Sequence, residues 1–213
     1  MRVVVSLILG VCMVLFAQGA EPKIGILYEN NFEKAELRKV PEDMMVLEGG
    51  FTTTEEGGNK FLELPGAPLE TFGVLFGPAE TNGIAVSARV FGTGKGRRGP
   101  TFAVGLNGVG GYKLQVSPAK KTVELYRGDE LLSSAPYNWE SKSWTVLRLE
   151  SRSKDGGIAV LGKAWKYGAA EPKEWLISHQ DKTEPPPGRS SIWGAPYSGT
   201  PVRFDDVIVT AVR

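Results

Sequence analysis

Apolar and polar residues alternate with a period of two along most of the chain. In Ile84-Ala85-Val86-Ser87-Ala88-Arg89-Val90-Phe91 the residues Ile84, Val86, Ala88 and Val90 fall on one side, as in an extended strand whose successive side chains point to opposite faces. Tyr112-Lys113-Leu114-Gln115-Val116 and Thr122-Val123-Glu124-Leu125-Tyr126 repeat the pattern. Further strands are predicted at Phe72 to Phe76, Phe102 to Leu106, Trp144 to Glu150, Ile158 to Ala164, Trp175 to Ser178 and Val202 to Val212. Glycine-bearing turns of hairpin type separate them: Gly108 through Gly111, Arg127-Gly128-Asp129, and Ser153-Lys154-Asp155-Gly156-Gly157. The only helical candidate is Phe32 to Lys39, stopped by Pro41. Many short strands with one apolar face each must cover that face with a second sheet. The pattern therefore predicts an all-β, antiparallel two-sheet β-sandwich of the jelly-roll kind.

Residues 1–20 depart from this pattern. Arg2 precedes an apolar run from Val3 to Phe16, broken only by Ser6 and Gly10, and Ala17-Gln18-Gly19-Ala20 follow before the charged Glu21 and Lys23. A basic start, a short apolar run and small residues at its end describe an export signal, whereas a membrane-spanning helix needs roughly 20 apolar residues. The chain thus reads as a signal peptide over 1–20 and one secreted or periplasmic domain over 21–213, with no membrane span in the mature chain. Cys12, the only cysteine, leaves with the signal, so neither disulfides nor thiolate chemistry are expected. The 25 basic residues nearly balance the 24 acidic ones, and the densest basic cluster, Lys95-Gly96-Arg97-Arg98, sits among turn glycines. Nucleic acid is not an expected partner. Glu184-Pro185-Pro186-Pro187-Gly188 reads as a polyproline-like connection rather than a domain boundary.

Several segments carry a resemblance. Tyr28-Glu29-Asn30-Asn31-Phe32-Glu33, then Met44 to Phe51 and Asn59-Lys60-Phe61-Leu62, open the series. It continues through Gly111-Tyr112-Lys113-Leu114, Trp144-Thr145-Val146-Leu147-Arg148-Leu149, and Lys163-Ala164-Trp165 with Glu171-Pro172-Lys173-Glu174-Trp175. Phe204-Asp205-Asp206-Val207-Ile208-Val209 closes it. In this order the segments resemble the concanavalin A-like lectin and glucanase superfamily, including its laminin-G-like domains of exported bacterial proteins. The superfamily holds sugar-binding modules, glycosidases and adhesive domains, and fold alone does not choose among them. The resemblance also implies a place for structural calcium between the first and last strands, with Glu33 and Asp206 as the matching pair.

Asp206 is in phase with Phe204 and Ile208, and Asp205 with Val207 and Val209, so at least one of these carboxylates lies beside apolar neighbours. It needs a partner: an arginine such as Arg89 or Arg203, backbone amides, or a cation. The Glu-x-Asp-x-x-Glu strand of the superfamily's retaining glycosidases is absent, and Glu48, Glu63, Glu124 and Glu150 have no acidic residue two positions away. A glycoside hydrolase-like enzyme would need an atypical carboxylate pair meeting across strands. His179, the only histidine, excludes a multi-histidine zinc site and is expected in a loop at a strand end.

Aromatic residues are the remaining lead. Trp144 is expected in the core, and Trp165 and Trp175 across a hairpin. Trp193 and Tyr197, in the small-residue surface loop Ser190 to Gly199, and Trp139, in Pro136-Tyr137-Asn138-Trp139, can offer a sugar a flat ring with a polar edge. The function expected is that of an exported, non-catalytic carbohydrate-binding or structural domain with a glycan as ligand. The alternatives are the enzyme with the atypical pair and an adhesive domain with a surface-protein partner.

Overall fold

Each predicted strand run overlaps a strand in the computed structural model of the chain, which describes residues 25–66, 70–96, 98–196 and 199–212. The signal segment 1–20 and Tyr197 lie outside the described residues. The strands are β1 (Ile26–Asn30), β2 (Met45–Glu48), β3 (Thr52–Glu56), β4 (Asn59–Leu64) and β5 (Phe72–Glu80). There follow β6 (Ile84–Gly92), β7 (Thr101–Leu106), β8 (Tyr112–Ser117), β9 (Thr122–Arg127) and β10 (Glu130–Pro136). The last are β11 (Ser143–Lys154), β12 (Gly157–Lys166), β13 (Ile177–Asp181), β14 (Gly188–Ala195) and β15 (Val202–Ala211). They form two antiparallel sheets. The first runs β13-β12-β11-β6-β15-β4-β3, with β1 also paired to β15; the second runs β10-β9-β8-β7-β14-β5-β2.

The inner faces carry the residues that alternation assigns to them. Val86, Ala88, Val90, Leu147, Leu149, Phe204, Val207 and Val209 of the first sheet pack with Val74, Phe76, Phe102, Val104, Leu106, Leu114, Val116, Leu125 and Ile192 of the second. In β15 the phase changes inside the strand. Asp206 adopts a left-handed backbone with φ 46°, the register with β6 shifts between Asp205 and Ile208, and Phe204, Val207 and Val209 all reach the core. A bulge inserts one residue and so moves the inward set by one position. Strict alternation breaks at the two aspartates for this reason.

Three expectations are corrected. Phe32 to Lys39 is not a helix: Phe32 and Arg38 have φ of 58° and 66°, a left-handed backbone that no right-handed helix contains. Phe32 is fully buried in the core, and this fixes the turn. Ser190 to Ala195 is not a loop but most of β14, a central strand of the second sheet. Its small residues Ser190, Ser191 and Gly194 are buried rather than exposed. Trp144 is not in the core, because Thr145, Leu147 and Leu149 take the inward positions of β11. It lies on the outer face against Phe61 and Phe91.

A polar clasp joins the sheets at one end. Asp181 of β13 accepts hydrogen bonds from the Tyr112 hydroxyl at 2.8 Å, the Arg127 guanidinium at 2.5 Å and the Thr183 amide at 2.9 Å. Burial alone would raise the Asp181 pKa, but the Thr183, Tyr112 and Arg127 donors outweigh it and hold the carboxyl below its usual value. A carboxyl with a depressed folded pKa stabilises the protein above its unfolded pKa of about 3.9, and that stabilisation is lost as pH falls through the folded value. Asp181→Asn is expected to lower the melting temperature at neutral pH and to flatten its fall in acid. Thermal melts across the acid range check this, and superimposable curves would refute the clasp.

Candidate functional site

The outer face of the second sheet is built from the polar half of its strands. Pairing aligns Tyr126 with Lys113, Lys113 with Gly105 and Gly105 with Ser191 in one row. The adjacent row runs Glu124, Gln115, Ala103, Trp193 and Gly73. The glycines matter because a Cβ on Gly73 would stand 2.5 Å from the Trp193 ring, and one on Gly105 would stand 2.4 Å from Ser191 Oγ and 3.3 Å from Trp193 Nε1. With Gly73 opposite on β5, and only the small Ala103 opposite and Gly105 diagonal to it on β7, the indole lies down on the sheet, and its Nε1 donates to Ser191 Oγ at 2.8 Å. Glycine inside a strand often marks such a close approach.

Beside this ring the Lys113 ammonium sits 5.7 Å from the Trp193 ring centroid and 5.5 Å from that of Tyr126. Burial lowers its pKa, opposed by the charge of Asp129. Glu124 is buried yet fully engaged: Ser117 Oγ donates to it at 2.6 Å, the Tyr126 hydroxyl at 2.8 Å and Lys120 at 2.9 Å. Burial would raise its pKa; the Lys120, Ser117 and Tyr126 donors instead bring it below normal. Gln115 donates to Ser117 at 3.0 Å, which leaves its carbonyl oxygen to accept. The face thus offers a flat ring, an ammonium and an amide within one patch. Of its residues only Trp193 belongs to the sequence-derived candidates. Lys113, Gln115 and Tyr126 were legible as the polar half of their strands, and Gly73 and Gly105 as strand glycines.

The other candidates lie elsewhere. Trp139 packs its ring on Phe102, with centroids 6.1 Å apart, and against Gly92, Gly94 and Gly99. It forms one wall of a cleft with Arg98, Pro118, Asn138 and Ser141. Trp139 and Trp193 share no contact in the described residues. His179 is within β13, opposite Val160, not in a loop.

On the outer face of the first sheet every stacked cation also holds a carboxylate. Arg89 lies over Trp144 and Tyr167, 4.9 Å from each centroid, and binds Asp205 at 2.7 Å and Asp206 at 2.8 Å. Arg203 lies over Phe61 and binds Glu63 and Glu56. Lys163 lies over Trp175 and binds Glu171. Asp205 is fully buried and also accepts from Asn59 and the Asp206 amide. Burial prevails over these partners, and over Arg89, to raise its pKa.

The calcium pair does not suit the ion. Glu33 accepts from the Lys60 amide at 3.0 Å, while the Lys60 ammonium occupies the carbonyls of Glu33 and Ala35. Asp206 is paired with Arg89. Calcium takes six to eight oxygen ligands, and here Arg89 holds the Asp206 carboxylate, the Lys60 amide donates to that of Glu33, and the Lys60 ammonium occupies two nearby carbonyls. Among the described residues no cluster of three or more His, Cys, Asp or Glu could hold a metal.

No protein-family model matches the chain, and no curated protein sequence does. Solved structures do. The chain is similar to the carbohydrate binding module CBM66 from Bacillus subtilis, with TM-score 0.55 and 11% identity over 79% of this chain and 96% of that one. It is similar to the carbohydrate recognition domain of Emp47p, with TM-score 0.58 and 11% identity over 92% and 100%. The fold shared with these structures is a two-sheet antiparallel jelly roll. A third neighbour of the jelly roll is domain 4 of AbnA, a GH43 extracellular arabinanase from Geobacillus stearothermophilus, solved with arabinotriose (TM-score 0.55, 13% identity, 89% and 93% covered). At these identities the likeness is one of fold.

Removing one partner of a buried ion pair costs about 3 kcal/mol or more. Arg89→Met is therefore expected to lower the melting temperature of this jelly roll by roughly 6 to 12 °C at neutral pH. Because the folded pKa of Asp205 is raised, the loss is expected to shrink as pH falls and the carboxyl takes up a proton. Calcium is expected to leave wild-type melting unchanged; a site filled at 100 times its Kd would raise it by roughly 5 to 11 °C.

Proposed function

We propose that this protein is an exported, non-catalytic carbohydrate-binding domain that holds a glycan on the outer face of its second sheet, against the flat of Trp193. The observation that carries this reading is the indole lying on the sheet over Gly73, hydrogen-bonded through Nε1 to Ser191. The half-buried indole is an apolar plane of about the size of one sugar ring, and the C–H faces of pyranoses suit such planes. Gln115 and Lys113 stand beside it to meet hydroxyl groups, which matches the usual site of an apolar floor with a few placed polar groups. The shared fold with proteins named as carbohydrate-binding domains supports the same reading.

Binding without bond cleavage is favoured by the state of the carboxylates. Glu124, Glu150 and Asp205 are each buried and each tied to the protein's own cations, whereas glycoside cleavage needs two carboxyl groups free to face one glycosidic bond. Export rests on the sequence of residues 1–20; N-terminal sequencing of the protein from a cell-envelope or medium fraction checks it.

Glycan-array screening followed by calorimetry tests the site. Trp193→Ala is expected to weaken binding roughly thirtyfold or more, the loss typical of a central aromatic anchor. Gly73→Ala keeps the tryptophan but forces its ring off the sheet, and is expected to weaken binding as well while the protein still melts cooperatively. Unchanged affinity in both variants would place the sugar elsewhere.

A further inference from the structure

We propose that the glycan is an acidic one, whose carboxylate or sulfate docks on the Lys113 ammonium beside the Trp193 ring. This rests on the carbohydrate reading above and narrows it to a ligand class.

The argument is a comparison within the molecule. Five cations of the described residues lie over aromatic rings: Arg89, Lys113, Arg127, Lys163 and Arg203. Four of them also bind a carboxylate: Arg89 takes Asp205 and Asp206, Arg127 takes Asp181, Lys163 takes Glu171, and Arg203 takes Glu63 and Glu56. Lys113 makes no ion pair among the described residues. Glu124, the buried carboxylate of the same face, is already taken by Lys120, Ser117 and Tyr126. Asp129, in the exposed turn after β9, acts on Lys113 only through its field.

An ammonium has three donors and no acceptor. Held partly away from water, it loses hydration that two ring faces replace only in part. An anionic group on the ligand supplies what the four other cations obtain from within the chain. A neutral sugar does not, since its hydroxyls offer only weaker, uncharged hydrogen bonds. Burial lowers the Lys113 pKa, which agrees with a charge still lacking its partner. The position is also apt: the same ammonium lies 5.7 Å from the Trp193 centroid and 5.5 Å from that of Tyr126, so a pyranose stacked on Trp193 brings a ring-borne acidic group to it.

The test uses polymer pairs that differ only in charge: polygalacturonate against its methyl ester, and dextran sulfate against dextran, by calorimetry at low and moderate salt. At least one acidic member is expected to bind about tenfold or more tighter than its neutral twin, the worth of a charged hydrogen bond. Which pair discriminates identifies carboxylate or sulfate. Lys113→Gln is expected to abolish the difference, so that the acidic and neutral members of a pair bind alike; Lys113→Arg is expected to keep it. Trp193→Ala is expected to weaken both members of a pair. Equal binding of acid and neutral twins, or a preference that survives Lys113→Gln in a normally melting protein, overturns the acidic assignment and leaves carbohydrate binding standing. Binding only to unrelated neutral glycans also overturns it. Binding to no glycan at all overturns both.

Discussion

Two apolar sheet faces closed on each other constrain everything else in the molecule. Once Val86, Ala88 and Val90 of β6 and Phe102, Val104 and Leu106 of β7 are committed to the middle, the pleat sends their neighbours outward. Arg89 and Phe91 go to one outer surface, and Ala103 and Gly105 to the other. Burying a side chain of this kind contributes about 1.5 to 3 kcal/mol, against about 1 kcal/mol or less for an exposed ion pair. The core therefore sets the register, and each outer face must use the residues that register leaves to it.

The two outer faces use them differently. On the first sheet, bulky neighbours stand side by side: Arg203 lies over Phe61 and Phe91, and Arg89 over Trp144 and Tyr167, all closed by carboxylates. That face is complete in itself. On the second sheet Gly73, Ala103 and Gly105 leave a low floor on which one indole reclines, and Lys113 ends between two rings with no counter-ion among the described residues. A face with a half-exposed ring and a cation that lacks an ion-pair partner among the described residues is unfinished in the same terms in which the other is finished. The proposed binding surface rests on this contrast rather than on any cavity.

The architecture was legible because period-two alternation is imposed by the pleat itself, and β6, β8 and β9 carry it without interruption. It failed where a single backbone angle overrode it. The left-handed residue at Asp206 shifts β15 by one position, so Asp205, not Asp206, is the fully buried carboxylate; no feature of Phe204-Asp205-Asp206-Val207 announces this. Ser190 to Gly199 looked like a loop because its residues are small, yet in β14 Gly194 is small because Leu64 and Phe204 of the facing sheet pack against it, and Ser191 holds the Trp193 indole. The helix expected at Phe32 to Lys39 failed for a tertiary reason, the burial of Phe32. Within the site, Trp193 was visible as an aromatic among small residues. Its partners on β8 and β9 were not, since β7 and β14 bring them together only through pairing across the sheet.

Where the ring sits also bears on how the site works. A tryptophan on a loop must lose loop and rotamer freedom when it meets a ligand, and each such immobilised group costs about 0.5 to 1.5 kcal/mol. Trp193 has already lost that freedom: β14 is hydrogen-bonded to β5 and β7 on both sides, Ser191 holds Nε1, and Gly73 lies under the ring. Lys113 is likewise confined between two ring faces. For the proposed glycan site, ordering is then accomplished during folding, so the weak contacts a sugar offers would not be spent on it. A strand-borne platform is also single in shape, and selectivity then depends on what stands around the ring, with the Lys113 charge as its strongest fixed feature.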